Sequence, residues 1–122
     1  IDLVIQTDDG KCHVIDWKSC SWGWDMRKRS DPMVTYQLTL YKKFFAIKHD
    51  INPANIETHF ALLKRTAKRE NVEFVDVSSG AIKTNNATNL LMLAIKNIEK
   101  KKAIKNRLSC KNCQFYKTKH CT

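Results

Sequence analysis

Residues 1–18 read IDLVIQTDDGKCHVIDWK, and this stretch decides the fold. Apolar and polar residues alternate over Ile1–Thr7 and again over Cys12–Lys18, which is the period of a half-buried strand. Between the two runs stands Asp8-Asp9-Gly10, a segment rich in turn-forming residues. We therefore predict a β-hairpin at this point in the chain.

The register of this hairpin decides which carboxylates meet. A two-residue turn would set Asp2 opposite Trp17, whereas a three-residue loop would set Asp2 opposite Asp16. Glycine as the last loop residue favours the longer loop, because Gly10 can take a positive φ without steric cost. Directly opposed side chains have Cβ atoms about 4.5–5.5 Å apart. Two carboxylates that close repel each other unless a cation lies between them.

A lysine stands beside this pair of acids. Lys18 lies two residues after Asp16 and so projects from the same face of the strand. We predict that Asp2 and Asp16, with the Trp17 carbonyl, bind Mg²⁺ or Mn²⁺. Lys18 would orient the attacking water or neutralise charge on a phosphate. The alternative is that all three are solvated charges at a sheet edge.

Asp2 together with Asp16-Trp17-Lys18 resembles the PD-(D/E)xK nuclease signature. Gln37-Leu38-Thr39-Leu40-Tyr41 is similar to the Q-hydrophobic-x-x-Y motif of the RecB-like branch, with Gln37 and Tyr41 one helical turn apart. The resemblance implies a metal-dependent DNA nuclease, most simply a RecB-like exonuclease, in which Gln37 and Tyr41 assist at the catalytic site. It also implies a restriction-endonuclease-like core and partner proteins of phage, recombination, repair or CRISPR systems. Members usually have a helix before the first acid, so we expect the chain to begin inside the domain.

Three cysteines close the chain. Cys110-x-x-Cys113 is a common metal-binding unit, and with Cys121 it resembles the C-terminal trio of iron–sulfur RecB-like nucleases. The resemblance implies a nuclease core over residues 1–109, a cysteine cluster over 110–122, and a [4Fe–4S] cluster, with Zn²⁺ as the alternative. A reduced, empty trio is a further alternative. The candidates for the fourth ligand are His120, Cys20 and Cys12.

The composition agrees with a nucleic-acid substrate. Twenty-two Lys and Arg stand against twelve Asp and Glu, giving a net charge of +10 that attracts a phosphate backbone. Lys64–Arg69 is the basic segment that we expect to contact DNA. The interleaved Trp22 and Trp24 either stack on bases or, as we prefer, pack their loop onto the core.

Other classes of protein remain alternatives or are excluded. A non-catalytic nucleic-acid-binding module with a degenerate nuclease core and a C-terminal metal knuckle is one alternative, and a redox or metal-storage protein is another. No apolar run reaches the roughly 20 residues of a membrane span, so we expect no membrane partner. An odd number of cysteines and the absence of a secretory signal indicate a cytoplasmic protein.

The remaining elements complete an α/β (α+β) core with a mixed sheet flanked by helices. We expect a loop at Ser19–Asp31, helices at Pro32–Lys48 and Ala87–Lys105, and strands at Ile56–Arg65 and Val72–Val77. Asp31 is the predicted N-cap of the first helix, with proline at its first position.

Three histidines are scattered through these elements. His13, His49 and His59 are isolated from one another in the sequence. An isolated histidine is more often structural than a ligand, so we interpret all three as structural.

Overall fold

The computed structural model describes residues 1–104 and 107–121. It divides the chain into two compact units, Ile1–Leu90 and Leu91–Thr122. The first unit contains the sheet and most of the helical residues, and the predicted nuclease motifs all lie in it.

Within the described residues, the strands form a four-stranded mixed sheet in the order β1-β2-β3-β4. Strand β1 pairs antiparallel with β2, β2 pairs parallel with β3, and β3 pairs antiparallel with β4. The prediction of an α+β fold with a mixed sheet and flanking helices is confirmed. The strands are β1 (Leu3–Gln6), β2 (Cys12–Cys20), β3 (Ile56–Lys64) and β4 (Val72–Asp76).

The hairpin adopts the register of the three-residue loop. Leu3 pairs with Ile15, and the same register continued by one residue places Asp2 across from Asp16. The Asp2 N–H donates to the Ile15 carbonyl at 3.2 Å, so the ladder continues to this point. Gly10 ends the loop with a φ of +82°, the conformation for which glycine is suited.

Two helices follow β2 in close succession. Helix α1 (Met26–Ser30) forms inside the segment predicted to be a loop, so that prediction is wrong there. Its N-cap is Asp25, whose carboxylate accepts a hydrogen bond from the Lys28 N–H at 2.8 Å. Helix α2 (Pro32–His49) has the predicted N-cap, Asp31, and the predicted proline in its first turn.

Helix α3 (Ala81–Glu99) begins earlier than the predicted start at Ala87. Its first residues include threonine and asparagine, which favour a helix weakly and hide the start. The helix ends at Glu99, and residues 100–104 are not helical, so the predicted continuation to Lys105, itself outside the described residues, is wrong. Two short 3₁₀ helices occur at Pro53–Asn55 and Arg107–Asn112. None of the helices in the described part of the chain has the length and apolarity that a bilayer span requires.

The two faces of the sheet have different environments. Alternate residues of the strands pack against α2 and form the core, and we call this side the helix face. Its buried apolar side chains include Cys12, Val14, Ile56, Phe60, Leu62 and Val75, which pack with Leu38 and Ala46 of α2. The other side, the open face, carries large apolar side chains that stay exposed to solvent. These are Leu3, Ile5, Trp17, Leu63, Val72 and Phe74.

Candidate active site

Asp16 is the centre of a polar group on the helix face of the sheet. Asp16 is only 4% exposed, and its neighbours along β2, Ile15 and Trp17, are apolar. The Gln37 amide Nε2 lies 3.3 Å from Asp16 Oδ1 and 2.9 Å from the Tyr41 hydroxyl. The Lys18 ammonium lies 2.7 Å from Asp16 Oδ2. The structure thus brings together four of the predicted site residues, two from β2 and two from α2.

One oxygen of this group lacks a directed hydrogen bond. Asp16 Oδ2 is buried and has no hydrogen-bond partner among the described residues, although the Lys18 ammonium is close enough for an ion pair. A buried anionic oxygen without a donor is costly unless a cation satisfies it. The Lys18 ammonium supplies that cation here, and a carboxylate oxygen is also the type of ligand that a hard ion such as Mg²⁺ prefers.

Asp2 is exposed and contacts the backbone of β2 beside this group. Its Oδ2 accepts a hydrogen bond from the Trp17 N–H at 2.8 Å, which ties the carboxylate to the peptide next to Asp16. The Trp17 indole belongs to the open face and is 40% exposed. Only the backbone of Trp17 can therefore contribute to a site on the helix face.

The surroundings of Lys18 restrain its ammonium. Nζ lies 5.7 Å from the centroid of the Phe60 ring, within the range of a cation–π contact. Phe60 is fully buried and packs on Trp24, with ring centroids 5.1 Å apart. Trp24 therefore anchors its loop to the core, as expected. Trp22 does not: it is 77% exposed, so its predicted packing role is wrong.

A basic turn follows β3 at the end of the sheet where β2 also ends, two residues beyond Lys18. The N–H groups of Arg65 and Thr66 donate to the carbonyls of Cys20 and Ser21, at 2.9 and 3.2 Å. These bonds hold the turn after β3 against the loop that carries Trp22. The exposed cations of this turn are Arg65, Lys68 and Arg69.

The cysteine trio lies in the second unit. Cys113 and Cys121 are exposed and Cys110 is partly exposed; all three are free thiols. Among the described residues, these cysteines and His120 are not gathered into a group of three donors within 4.8 Å of one another. Cys12, named above as a candidate fourth ligand, is buried in the core of the first unit.

The structure also groups residues that the sequence did not connect. His13, Glu57 and His59 lie side by side on the open face, so His13 and His59 are not isolated in the fold, and their interpretation as structural histidines stays a prediction. The parallel pairing of β2 with β3 creates the group, since it sets His13 opposite Glu57. No local sequence pattern carries that register.

The Asp16 group combines a buried carboxylate with an ammonium on one oxygen and an amide on the other. Carboxylates across a hairpin can hold a hard divalent ion, and an adjacent ammonium can stabilise negative charge that develops on a phosphate. No family model matches the chain, and no curated protein or solved structure matches it significantly.

Proposed function

We propose that this chain is a PD-(D/E)xK nuclease domain of the RecB-like type, with a restriction-endonuclease-like core, which hydrolyses DNA with Mg²⁺ or Mn²⁺. The observation that carries the proposal is the buried Asp16 carboxylate between Lys18 and Gln37. A carboxylate that is buried between an ammonium and an amide is costly to place in a fold, which is a reason to expect a functional role for it.

The roles of the residues follow from their contacts. Asp2 and Asp16, with the Trp17 carbonyl, would hold the divalent ion. When bound, such an ion polarises the scissile phosphate and activates water for attack. Lys18 orients the water or offsets the charge that develops on the phosphate oxygens.

Helix α2 supplies support rather than ligands. The Gln37 amide restrains Asp16 Oδ1, and the Tyr41 hydroxyl restrains the amide in turn. A carboxylate whose rotamer is fixed before binding loses less conformational entropy when it takes a ligand. Gln37 is therefore a positioning residue, and Tyr41 acts through it.

The exposed basic turn is the surface that would meet the DNA. Arg65, Lys68 and Arg69 offer positive charge to the phosphate backbone. Trp22, on the adjoining loop, offers an exposed ring on which a base can stack. A single-stranded segment crossing this turn would contact cations and an aromatic ring beside the site.

The C-terminal cysteines form a separate proposal. Three thiolates are a soft donor set suited to a [4Fe–4S] cluster or to Zn²⁺, with the fourth ligand unassigned. No step of the proposed hydrolysis depends on them.

The test is a cleavage assay with the full chain, end-labelled linear DNA in single- and double-stranded form, and either Mg²⁺ or Mn²⁺. We expect cleavage that EDTA stops. Asp16→Asn and Lys18→Met should each lower the rate by about 10²-fold or more, because the first weakens the hold on the divalent ion and the second removes the positive charge beside the phosphate. DNA binding, measured by fluorescence anisotropy, should be retained.

The matched controls are Asp50→Asn and Lys48→Met, which change the same charges at exposed positions near the end of α2. Both should cleave like the parent chain, and circular dichroism should show that all four variants are folded. Unchanged cleavage by Asp16→Asn would refute the catalytic assignment. DNA binding without cleavage in either metal would instead indicate the non-catalytic nucleic-acid-binding module.

A further inference from the structure

A group of histidine and carboxylate side chains lies on the open face of the sheet, away from Asp16. His13 of β2 is the direct partner of Glu57 in β3, and His59 stands two residues further along β3. Asp76 of β4 is the direct partner of His59. Three neighbouring strands therefore bring four side chains to one place on a hydrogen-bonded support.

The distances within this group suit a shared ion. His13 Nδ1 lies 3.0 Å from His59 Nε2 and 3.7 Å from the nearer Glu57 oxygen. One donor atom from each of the three residues lies within 4.8 Å of the other two. Ligands on a tetrahedral ion with bonds of about 2.0–2.1 Å are roughly 3.4 Å apart. Small side-chain movements would bring the donors to that spacing, and the proton of the His13–His59 hydrogen bond would be released on binding.

Asp76 fixes the orientation of one ligand. Its Oδ1 lies 2.7 Å from His59 Nδ1, so the imidazole donates its proton there and presents the Nε2 lone pair toward His13. A carboxylate behind the imidazole in this way is the usual support of a metal-bound histidine. Strand pairing alone does not require a carboxylate behind His59. The His59 side chain is otherwise largely shielded from solvent, at 14% exposed.

Glu57 divides its two oxygens between two partners. Oε1 accepts from the Lys11 ammonium at 2.6 Å, while Oε2 is the oxygen turned toward His13. The ion pair with Lys11 holds the carboxylate in place and leaves Oε2 as the ligand atom. A cleft of about 390 Å³ adjoins the group and is lined in part by Glu57, His59 and Asp76.

We propose that His13, Glu57 and His59 form a binding site for a divalent transition-metal ion such as Zn²⁺, with Asp76 as the support of His59. Two imidazoles and one carboxylate are a donor set for zinc and its neighbours rather than for magnesium, which takes oxygen ligands. Three protein ligands leave a coordination position open to water or a further ligand.

This site is independent of the proposed nuclease chemistry. The side chains of His13 and His59 project from the open face, whereas Asp16 and Lys18 project from the helix face. The two sets of donors also prefer different metals. Failure of the DNA-cleavage assay would therefore leave this site untouched, and failure of zinc binding would leave the nuclease proposal untouched.

The test uses the full chain carrying Cys110→Ser, Cys113→Ser and Cys121→Ser, so that the thiols cannot bind the metal. We expect this chain to bind Zn²⁺ in calorimetry. Bound Co²⁺ should give visible d–d bands without the charge-transfer bands that thiolate produces. His13→Ala and His59→Ala should each abolish binding, and Asp76→Asn should weaken it by about 10–100-fold.

The matched control is His49→Ala, which removes an exposed histidine at the end of α2 and should leave binding unchanged. If an alanine variant does not fold, His59→Gln and the histidine NMR signals of the parent chain replace it. Zn²⁺ should then shift the His13 and His59 signals and leave those of His49 and His120 in place. Absence of Zn²⁺ binding, or binding that His13→Ala leaves intact, would overturn the proposal.

Discussion

At the scale of single residues, the main feature is the dependence of Asp16 on its neighbours. The carboxylate is buried, and its contacts are the Lys18 ammonium on one oxygen and the Gln37 amide on the other. Removing one partner of a buried ion pair leaves the other charge without compensation, which costs more than the pair itself contributed. The two charges should therefore be coupled in stability.

This coupling can be measured with a double-mutant cycle in the presence of EDTA. We expect Lys18→Met to lower the free energy of unfolding by about 1–3 kcal/mol, because the Asp16 carboxylate is left unpaired. In the background of Asp16→Asn the same substitution should cost clearly less. Urea denaturation of the four chains gives the coupling energy. If the two substitutions have strictly additive effects on the free energy of unfolding, the contact between Asp16 and Lys18 has no coupling energy.

At the scale of elements, the hairpin depends on one residue of its loop. Gly10 has a φ of +82°, and an added Cβ would meet no atom within 4 Å. The conformation alone, rather than a clash, therefore selects glycine here. A residue with a side chain would have to adopt the left-handed region, which is unfavourable for L-amino acids.

Gly10→Ala should accordingly lower the free energy of unfolding by about 1–2 kcal/mol. Gly80→Ala is the matched control, since Gly80 also has open space around it but no positive φ. The control should cost only about 0.5 kcal/mol, the difference between glycine and alanine at the N-cap of α3, where the Gly80 carbonyl accepts from the Thr84 N–H. Chemical denaturation of both variants measures the difference. Equal effects at the two positions would show that backbone conformation is not the cause.

Local sequence patterns predict these elements well where one period continues over several residues. Alternation and a turn glycine predict the hairpin, and the spacing of Gln37 and Tyr41 places both on one side of a helix. Helix α1 is not predicted from the sequence, because its five residues, between a tryptophan-rich loop and a proline, are too few to show a helical period. The contact between His13 and His59 is not predicted either, for a different reason. The two histidines are 46 residues apart and meet only through the parallel pairing of β2 with β3.

At the scale of the whole first unit, an ion network connects elements that are distant in sequence. The Arg29 guanidinium of α1 donates to Glu73 of β4, and the Lys64 ammonium of β3 lies 3.6 Å from the other Glu73 oxygen. The hydrogen bond from Arg29, followed by the charges of Arg29 and Lys64, holds the pKa of Glu73 below its usual value of 4.5. Folding thus favours the ionised carboxylate.

The sign of the resulting pH dependence follows directly. Because the pKa of Glu73 is lower in the folded chain than in the unfolded chain, its contribution is complete above about pH 4.5. The contribution is lost as the pH falls through the lower, folded value. We expect Glu73→Gln to reduce stability at neutral pH and to flatten its decline in acid. Thermal unfolding between neutral pH and pH 3 measures this loss of stability, with Glu70→Gln as the exposed control. Identical acid profiles for the parent chain and Glu73→Gln would contradict the prediction.

Strand β1 has a further consequence for the proposed activity. It is four residues long and exposed throughout, and among the described strands it pairs with β2 alone; Asp2 stands just before it. The outermost strand of a sheet opens more readily than the interior ones. Mild warming would then detach one acid while the rest of the molecule stays intact, so that inactivation precedes melting. A partner bound along the exposed edge of β1 would hold the strand and Asp2 in place, and would therefore raise the proposed nuclease activity.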